Sequence, residues 1–276
     1  MSKERRMISL SEYLEKPQHV TEHSVARSDR EGLDSLETPL EIKNAPVDQV
    51  SIETANRIVL LTEPRSPGAD RFRYLRMRLR ELRAHIKLKT LVITSALPQD
   101  GKSSVALNLA MALAERGKRR VLLIEADLHC PSLCGNLGIA QASGLAECLE
   151  KNLDPLSAIR RLEPLQWYLL PAGQPLGNPT ELLQSNAFAN IVEKVSPYFD
   201  WVLIDTPPVA PLSDALLAAK SADACLLVVR ANQTPKAAVD DALSLLGPQH
   251  VAAIIFNGAE GLNNLYSKYA GYYGRK

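Results

Sequence analysis

The fold of this chain is decided by the stretch "TLVITSALPQDGKSSVALNLAMALAERG", residues 90–117. A strand-length, mostly apolar segment leads into a short loop that ends at Gly101. A helix is predicted from about Lys102 to about Arg116, with Gly117 as its C-terminal stop. A strand, a tight loop and a helix in this order are typical of a phosphate-binding loop, because the unpaired N–H groups at the helix N-terminus favour an anion.

The predicted nucleotide-binding residues lie in this loop and in the first turn of the helix. Lys102 is expected to reach the β- and γ-phosphates, and the Ser103 hydroxyl is expected to bind Mg²⁺. The loop departs from the usual GxxxxGK[ST] pattern, since Ala96 replaces its first glycine. Gln99 also stands where a glycine would ease the approach of a phosphate. The remaining predicted nucleotide-binding residues of the loop are Asp100, Gly101 and Ser104.

Carboxylates end two further apolar segments. "VLLIEAD" carries Glu125 and Asp127, and "WVLIDTPP" carries Asp205 before two prolines that stop the strand. Such carboxylates can merely cap the following helix, but beside a phosphate loop the metal interpretation is favoured. Ligands of open α/β sheets bind at the carboxyl ends of the strands. We therefore expect Asp205 and Asp127 to serve, with the Ser103 hydroxyl, as Mg²⁺ ligands.

Apolar segments alternate with helix-period stretches along most of the chain. Near-continuous apolar strands indicate a sheet that is covered on both faces. The pattern predicts a mostly parallel, doubly wound α/β sheet of the P-loop NTPase kind with helices on both faces. The strand segments are residues 57–61, 90–95, 120–126, 167–172, 201–206, 224–229 and 252–256.

Three regions follow from this texture. Residues 1–55 are polar and weakly periodic, which predicts a flexible N-terminal leader. Residues 56–262 form the predicted nucleotide-binding domain, and residues 263–276 form a C-terminal tail rich in tyrosine.

Composition excludes several classes of protein. Of 276 residues, 46% are apolar and 23% are charged, and the formal net charge is +1. This balance gives no strong preference for nucleic acid. The sequence contains no apolar run long enough to span a membrane, and the N-terminus lacks the apolar core of a secretory signal. The four cysteines form no CxxC pair, so we expect reduced cytosolic thiols rather than disulfides or a metal site.

One predicted helix, residues 70–87, carries an apolar stripe and several arginines. The stripe recurs at helical spacing and consists of Phe72, Leu75, Leu79, Leu82 and Ile86. Three interpretations stay open at this point. The helix packs on the sheet with a solvated basic face, it forms a subunit interface, or it contacts an anionic membrane surface.

Taken together, the motifs resemble one known family. "TSALPQDGKSS", "VLLIEADL" and "WVLIDTPP" are similar, in this order, to the deviant Walker A, Walker A′ and Walker B motifs of the bacterial tyrosine kinases (BY-kinases) of the cytoplasmic CpsD/CapB type. The resemblance runs from about residue 57 to the end of the chain. It includes "PRSPGADRFRYLRMRL" and the tyrosines of the tail.

The resemblance implies an ATP- and Mg²⁺-dependent protein-tyrosine autokinase that regulates exopolysaccharide or capsule synthesis and export. With Lys102 stabilising the phosphates, Asp127 is implied as the base that accepts the tyrosine proton, and Glu125 as its substitute. Asn257 is implied to contact the adenine edge, with a simple strand-end turn as the alternative. The γ-phosphoryl group would pass in trans, within an oligomer, to a neighbouring tail. The implied phospho-acceptors are Tyr266, Tyr269, Tyr272 and Tyr273.

The resemblance also implies partners and a location. The cytoplasmic end of a membrane polysaccharide co-polymerase adaptor would recruit this cytoplasmic chain to the inner face of the membrane. A ring-shaped homo-oligomer and an opposing tyrosine phosphatase are further implied partners, and nucleic acid is not expected. The oligomerisation motif ExxRxxR of the family maps to Asp70, Arg73 and Arg76, with aspartate in place of glutamate.

Departures from the family pattern keep two alternatives open. The usual DxDxR of Walker A′ reads Glu125, Asp127 and His129 here, and histidine is not a reliable cation at neutral pH. One alternative is therefore a nucleotide-binding pseudokinase, a regulatory subunit of a polysaccharide co-polymerase. The other is a ParA/MinD-like ATPase, although the additional loop lysine of that class is missing between Ala96 and Pro98.

Overall fold

An eight-stranded sheet organises the chain in the computed structural model, which describes residues 37–51, 53, 57–174, 178–184, 186–210 and 213–259. In chain order the strands are β1 (Val47–Gln49), β2 (Thr90–Ser95), β3 (Val121–Glu125), β4 (Arg160–Glu163), β5 (Trp167–Leu170), β6 (Trp201–Asp205), β7 (Ala224–Arg230) and β8 (Val251–Asn257). Their spatial order is β1-β4-β5-β3-β6-β2-β7-β8. Only the β4–β5 pair of the described sheet is antiparallel, so the predicted mostly parallel α/β class is confirmed.

The central strands are buried because both faces of the sheet are covered. Every residue of β2, β3 and β6 is buried. Alternate residues enter opposite cores: Leu91 and Ile93 pack on one side of the sheet, and Val92 packs on the other. This arrangement explains the near-continuous apolar segments of the sequence.

Helices cover the two faces. The longest helix, Pro67–Arg83, contributes to one core. Most helices in the second half of the chain contribute to the core on the other face. In chain order the described helices are α1 (Leu40–Lys43), α2 (Val59–Thr62), α3 (Pro67–Arg83), α4 (Lys102–Ala114), α5 (Leu133–Leu137), α6 (Leu145–Lys151), α7 (Pro155–Ala158), α8 (Pro179–Gln184), α9 (Asn186–Val195), α10 (Asp214–Ala219) and α11 (Lys236–Leu246).

The predicted strand at residues 57–61 is wrong, since this segment contains the short helix α2. A short apolar run fits a strand and a buried helix equally well. The deciding contact comes from the side chain of Asn108 on α4. Its Oδ1 accepts a hydrogen bond from the N–H of Val59 at 2.9 Å, and its Nδ2 donates to the carbonyl oxygens of Arg57 and Ser104 at 2.7 and 2.8 Å.

The leader prediction also needs a correction, because the folded domain begins before residue 56. Ile42 of α1 and Val50 are buried in the core. Strand β1 pairs with β4 in parallel, and Asp48 forms an ion pair with Arg160. Residues 1–36, 52, 54 and 55 of the predicted leader lie outside the described residues, as does the whole predicted tail.

Helix α3 confirms most of the predicted apolar stripe. It starts after Ser66, whose hydroxyl accepts a hydrogen bond from the N–H of Ala69, and it ends at Arg83 rather than at residue 87. Ile86 therefore lies beyond the helix and is 47% exposed. The confirmed members pack against the core, and they are Phe72, Leu75, Leu79 and Leu82.

Among the described residues, no helix has both the length and the apolar character needed to cross a membrane.

We predict that Asn108→Leu destabilises the fold by roughly 2–4 kcal/mol, because the N–H and C=O groups it now satisfies would lose their partner while staying partly buried. Urea denaturation measures this change in the free energy of unfolding. Ser244→Ala on the exposed face of α11 serves as the control, since among the described residues its hydroxyl donates only to the carbonyl oxygen of Asp240. An Asn108→Leu protein as stable as this control would contradict the prediction.

Candidate functional site

Parallel pairing brings the predicted site residues to one edge of the sheet. Strand β6 lies between β3 and β2, and Asp205 is in register with Glu125 on one side and with Ile93 on the other. The loop that follows β2, residues 96–101, is called the phosphate loop below. It therefore begins beside the strand-ending carboxylates, as the sequence predicts.

The phosphate loop holds two left-handed residues. Gly101 has φ +95 and precedes the first residue of α4. A Cβ atom at this position would lie 2.0 Å from Nδ2 of Asn257, so glycine is required both for conformation and for space. Gln99 also has a positive φ, +68. It occupies the position where a glycine would ease the approach of a phosphate, and its side chain is exposed.

Lys102 places its ammonium group among the strand-ending carboxylates. Nζ lies 2.7 Å from Oδ2 of Asp127 and 3.3 Å from Oγ of Ser103. Burial lowers the pKa of Lys102, but the charges of Asp205 and Asp127 and the hydrogen bond to Asp127 outweigh burial and raise the pKa above its ordinary value. The residue is thus a permanent cation at the N-terminus of α4.

Asp205 is completely buried at the end of β6. Neither of its carboxylate oxygens has a well-formed hydrogen bond within the described ranges, although the Ser103 hydroxyl is near enough to lower the pKa of Asp205. Burial raises the pKa of Asp205 to about 7, against the opposing effect of the Lys102 charge. A buried, unpartnered carboxylate is costly, and its geometry suits a cation that enters with the substrate.

Glu125 is engaged by the backbone. Its Oε1 accepts hydrogen bonds from the N–H groups of Ser132 and Leu133, both at 2.6 Å, and its Oε2 accepts one from Ala172 at 3.2 Å. Burial raises the pKa of Glu125, although these three N–H groups lower it. The carboxylate ties the start of α5 to the chain after β5. This geometry favours a structural role for Glu125 over the predicted role of substitute base.

Asp100 also uses its side chain inside the protein. Its Oδ2 accepts from the N–H of Leu97 at 3.0 Å, and its Oδ1 accepts from the hydroxyl of Thr234 at 2.7 Å. The side chain of Asn257 donates to the carbonyl oxygen of Asp100 at 2.9 Å. We call these three contacts the Asp100 brace. The first lies within the phosphate loop, and the other two fix this loop to the segment after β7 and to the end of β8.

A cavity of about 630 Å³ opens beside the phosphate loop. Apart from Asp100, every predicted nucleotide-binding residue lines it, Asn257 included. The predictions missed four lining residues, which lie before α2, around α5 and at the end of β7. They are Arg57, Ser132, Asn136 and Arg230. A cavity of this size accommodates a nucleotide.

His129 departs from the family's arginine and contacts a buried carboxylate. Its Nε2 lies 3.0 Å from Oδ2 of Asp214, which is fully buried at the start of α10. The hydroxyl of Thr180 donates to the other oxygen of Asp214 at 2.8 Å. The histidine thus joins the Walker A′ segment to α8 and α10. Sequence reasoning missed Asp214 and Thr180, since neither forms part of a local motif.

The predicted oligomerisation residues make contacts within the chain. Arg73 pairs with Asp70 at 2.7 Å and donates to the carbonyl oxygen of Pro64. Arg76 donates to the carbonyl oxygen of Ala112 on α4 at 3.3 Å. The predicted phospho-acceptors of the tail lie outside the described residues. The four cysteines are free thiols, and three of them are buried.

The described residues contain no group of three or more histidine, cysteine, aspartate or glutamate side chains that could hold a metal ion. Mg²⁺ is commonly bound by proteins through one or two carboxylates together with substrate phosphates and water. Asp205 and the Ser103 hydroxyl fit that pattern. Asp127 is connected to them by the hydrogen bond that it accepts from the Lys102 ammonium.

Comparisons with known proteins agree with this site. A family model described as an AAA domain matches residues 98–245. Tyrosine-protein kinase YwqD of Bacillus subtilis (strain 168) is 32% identical over 222 residues, which cover 79% of this chain and 92% of YwqD. The succinoglycan biosynthesis transport protein ExoP of Rhizobium meliloti (strain 1021) is 33% identical over 241 residues, but these cover only 30% of ExoP.

A solved structure gives the same result. The kinase domain of Escherichia coli tyrosine kinase ETK matches with a TM-score of 0.67 and 27% identity, and the match covers 73% of this chain and 79% of that one. The predicted family is confirmed by relatives named as tyrosine kinases, and the ParA/MinD-like alternative is not better supported. This chain belongs to the bacterial tyrosine kinase family.

Proposed function

We propose that this kinase transfers the γ-phosphoryl group of ATP to tyrosines of its own C-terminal tail and thereby regulates the synthesis and export of an extracellular polysaccharide. The observation that carries the proposal is the convergence of Lys102, Asp127 and Asp205 at one sheet edge, beside the cavity of the phosphate loop. A phosphate loop with strand-ending carboxylates is the arrangement that phosphoryl transfer requires.

The residues present fit Mg-ATP. The N–H groups at the start of α4 and the Lys102 ammonium offer positive charge to phosphates. Asp205 offers two buried, unpartnered oxygens, and Ser103 offers a hydroxyl beside Lys102. Bound Mg²⁺ would supply positive charge that neutralises the charge developing during transfer. Asp205, Ser103 and Asp127 are the residues that would hold it.

Lys102 can exchange its ion pair with Asp127 for an interaction with the phosphates. The Lys102 ammonium holds Asp127 at 2.7 Å. Phosphates that attract Lys102 would weaken this pair and leave the Asp127 carboxylate free to accept a proton. A tyrosine hydroxyl has a pKa of about 10 and benefits from such a base. We therefore keep Asp127 as the proposed base and assign no proton transfer to Glu125.

The acceptors in this proposal are Tyr266, Tyr269, Tyr272 and Tyr273, and each tail enters the site of a neighbouring subunit. Each phosphate adds roughly −1.5 to −2 charge, which would repel a modified tail from the acidic site. Two exposed apolar side chains on α3, Tyr74 and Met77, support a subunit interface on the helix that carries Asp70, Arg73 and Arg76. Heterologous contacts of this kind close into rings.

Two partners and two cofactors complete the proposal. ExoP is named as a transport protein for polysaccharide biosynthesis and is much longer than its matching segment. This supports association of the present chain with a membrane co-polymerase, the adaptor that brings it to the inner face of the membrane. We propose ATP and Mg²⁺ as cofactors and an opposing tyrosine phosphatase that resets the tail. Binding of ATP without transfer would favour the pseudokinase alternative.

We predict that the purified chain, incubated with Mg-ATP and the adaptor's cytoplasmic end, gains phosphotyrosine on residues 266–273. Lys102→Met should reduce this signal at least about 100-fold, because it removes the charge that stabilises the transferred group. Tandem mass spectrometry locates the phosphates. Lys194→Met removes a surface lysine of α9 that pairs with Asp154, and it should leave the signal unchanged.

A mixing experiment tests transfer in trans. The Lys102→Met chain keeps its tail tyrosines, and a second chain keeps Lys102 but has all four tail tyrosines changed to phenylalanine. We expect phosphate on the Lys102→Met chain only when the two are mixed. Absence of phosphate in the mixture, together with phosphate on wild type alone, would show transfer within one chain.

We predict that Asp205→Asn stabilises the nucleotide-free protein at alkaline pH. The pKa of Asp205 is raised from 3.8 to about 7 in the folded protein, so stability present at low pH is lost as pH rises through about 7. At pH above this value, the variant should gain roughly 2–4 kcal/mol over wild type. The gain should shrink towards pH 4, and urea midpoints across this range would measure it.

The control for this series is Asp240→Asn, because Asp240 is exposed on α11 and pairs with Lys236. Its stability difference from wild type should stay small at every pH. Asp205→Asn should also lose the thermal stabilisation that Mg-ATP gives to wild type. A variant that is less stable than wild type at pH 8 would refute the assigned burial cost.

A further inference from the structure

Arg230 carries a guanidinium group that the mechanism above does not use. The residue ends β7, is half-buried and lines the cavity of the phosphate loop. Its backbone forms hydrogen bonds, but its side chain has no ion pair or hydrogen bond within the part of the chain that the structure describes. A partly buried cation without an internal partner is available to a ligand in that cavity.

Gly258 leaves room for this guanidinium, because it has no side chain. A Cβ atom on Gly258 would lie 3.0 Å from both Cζ and Nε of Arg230. Gly258 has φ +68, so its backbone conformation also favours glycine. The guanidinium therefore lies close to the chain after β8, in space that a larger side chain at position 258 would fill.

The position of Arg230 along the sheet indicates which part of a nucleotide it meets. The proposed Mg²⁺ ligand Asp205 ends β6, and the phosphate loop follows the neighbouring β2. Strand β7 comes next, and Arg230 is in register with Asn257 of β8. At about 4.8 Å per strand, β7 is about 10 Å from β6. A nucleotide with its γ-phosphate near Asp205 thus extends its base towards β7 and β8.

The Asp100 brace fixes the distance between Arg230 and the phosphate loop. The N–H of Arg230 donates to the hydroxyl of Thr234 at 2.9 Å, and that hydroxyl donates to the Asp100 carboxylate at 2.7 Å. Two hydrogen bonds therefore connect the backbone of Arg230 to the phosphate loop. Asn257 must direct its amide NH₂ at the carbonyl oxygen of Asp100, because that oxygen only accepts. Its Oδ1 is then the acceptor that remains.

We propose that Arg230 is a nucleotide-positioning residue whose guanidinium stacks on the purine ring, beside the adenine edge that the family resemblance already assigns to Asn257. Guanidinium groups stack on aromatic faces with useful energy. An acceptor at the edge of the base matches the amine of adenine and not the carbonyl oxygen of guanine. The inference rests on the proposed binding of ATP and adds the residue that holds the base.

Inorganic tripolyphosphate separates base contacts from phosphate contacts, because it has the phosphates and lacks the base. We expect Arg230→Ala to weaken ATP and ADP binding roughly 3- to 30-fold, as for a lost cation–π contact. Its affinity for tripolyphosphate should stay within about twofold of wild type, since that ligand has no ring to stack on. Isothermal titration calorimetry with Mg²⁺ measures all three affinities.

Two variants make the result specific. Arg230→Lys keeps the charge and loses the plane, so its ATP affinity should fall between those of wild type and Arg230→Ala. Arg161→Ala, the matched control, removes a surface arginine of β4 that pairs with Glu163, and it should bind like wild type. Circular dichroism before titration confirms that each variant is folded, and Arg230→Lys supplies the test if the alanine variant is not.

Equal weakening of ATP and tripolyphosphate by Arg230→Ala would overturn the proposal in favour of a phosphate contact. Unchanged ATP affinity in a folded Arg230→Ala chain would overturn it as well. A wild-type chain that binds neither ATP nor ADP would instead refute the proposed function, so the two failures are distinguishable.

Discussion

The ammonium group of Lys102 is the charge on which the site depends. It lies 2.7 Å from Asp127, and its charge also acts on the buried Asp205. Carboxylates that end neighbouring strands repel one another, and burial makes each of them costly. One cation among them lowers the cost of burying these carboxylates together at one edge of the sheet. The same cation attracts phosphates, so the group that stabilises the protein's own carboxylates is also the one that substrate competes for.

This competition links stability to function through geometry rather than through a moving domain. The phosphate loop is held at one end by β2 and at the other by α4, and the Asp100 brace ties its middle to β7 and β8. A loop fixed on three sides presents its N–H groups without further ordering, which lowers the entropic cost of binding. Asp205 remains unpaired in that fixed frame and carries the energetic cost.

The predicted parts of the site are those that depend on short stretches of sequence. A loop between a strand and a helix, or an acid at the end of an apolar run, is visible within about ten residues. The hydrogen bond between Asp100 and Thr234 joins residues that are 134 positions apart in the sequence. No local sequence pattern predicts it. Glu125 was predicted by position, yet the backbone groups that engage it come from distant segments. The three residues of β1 are too few to show any periodicity.

The smallest strand has a consequence for how this protein is handled. Strand β1 covers the outer side of β4, which pairs on its other side with β5. Uncovered edge strands offer free N–H and C=O groups to other molecules and promote aggregation. A fragment trimmed at residue 56 would lose β1 together with the ion pair of Asp48 and Arg160. The choice of starting residue for expression therefore decides whether this side of the sheet ends in the very short strand β1 or in β4.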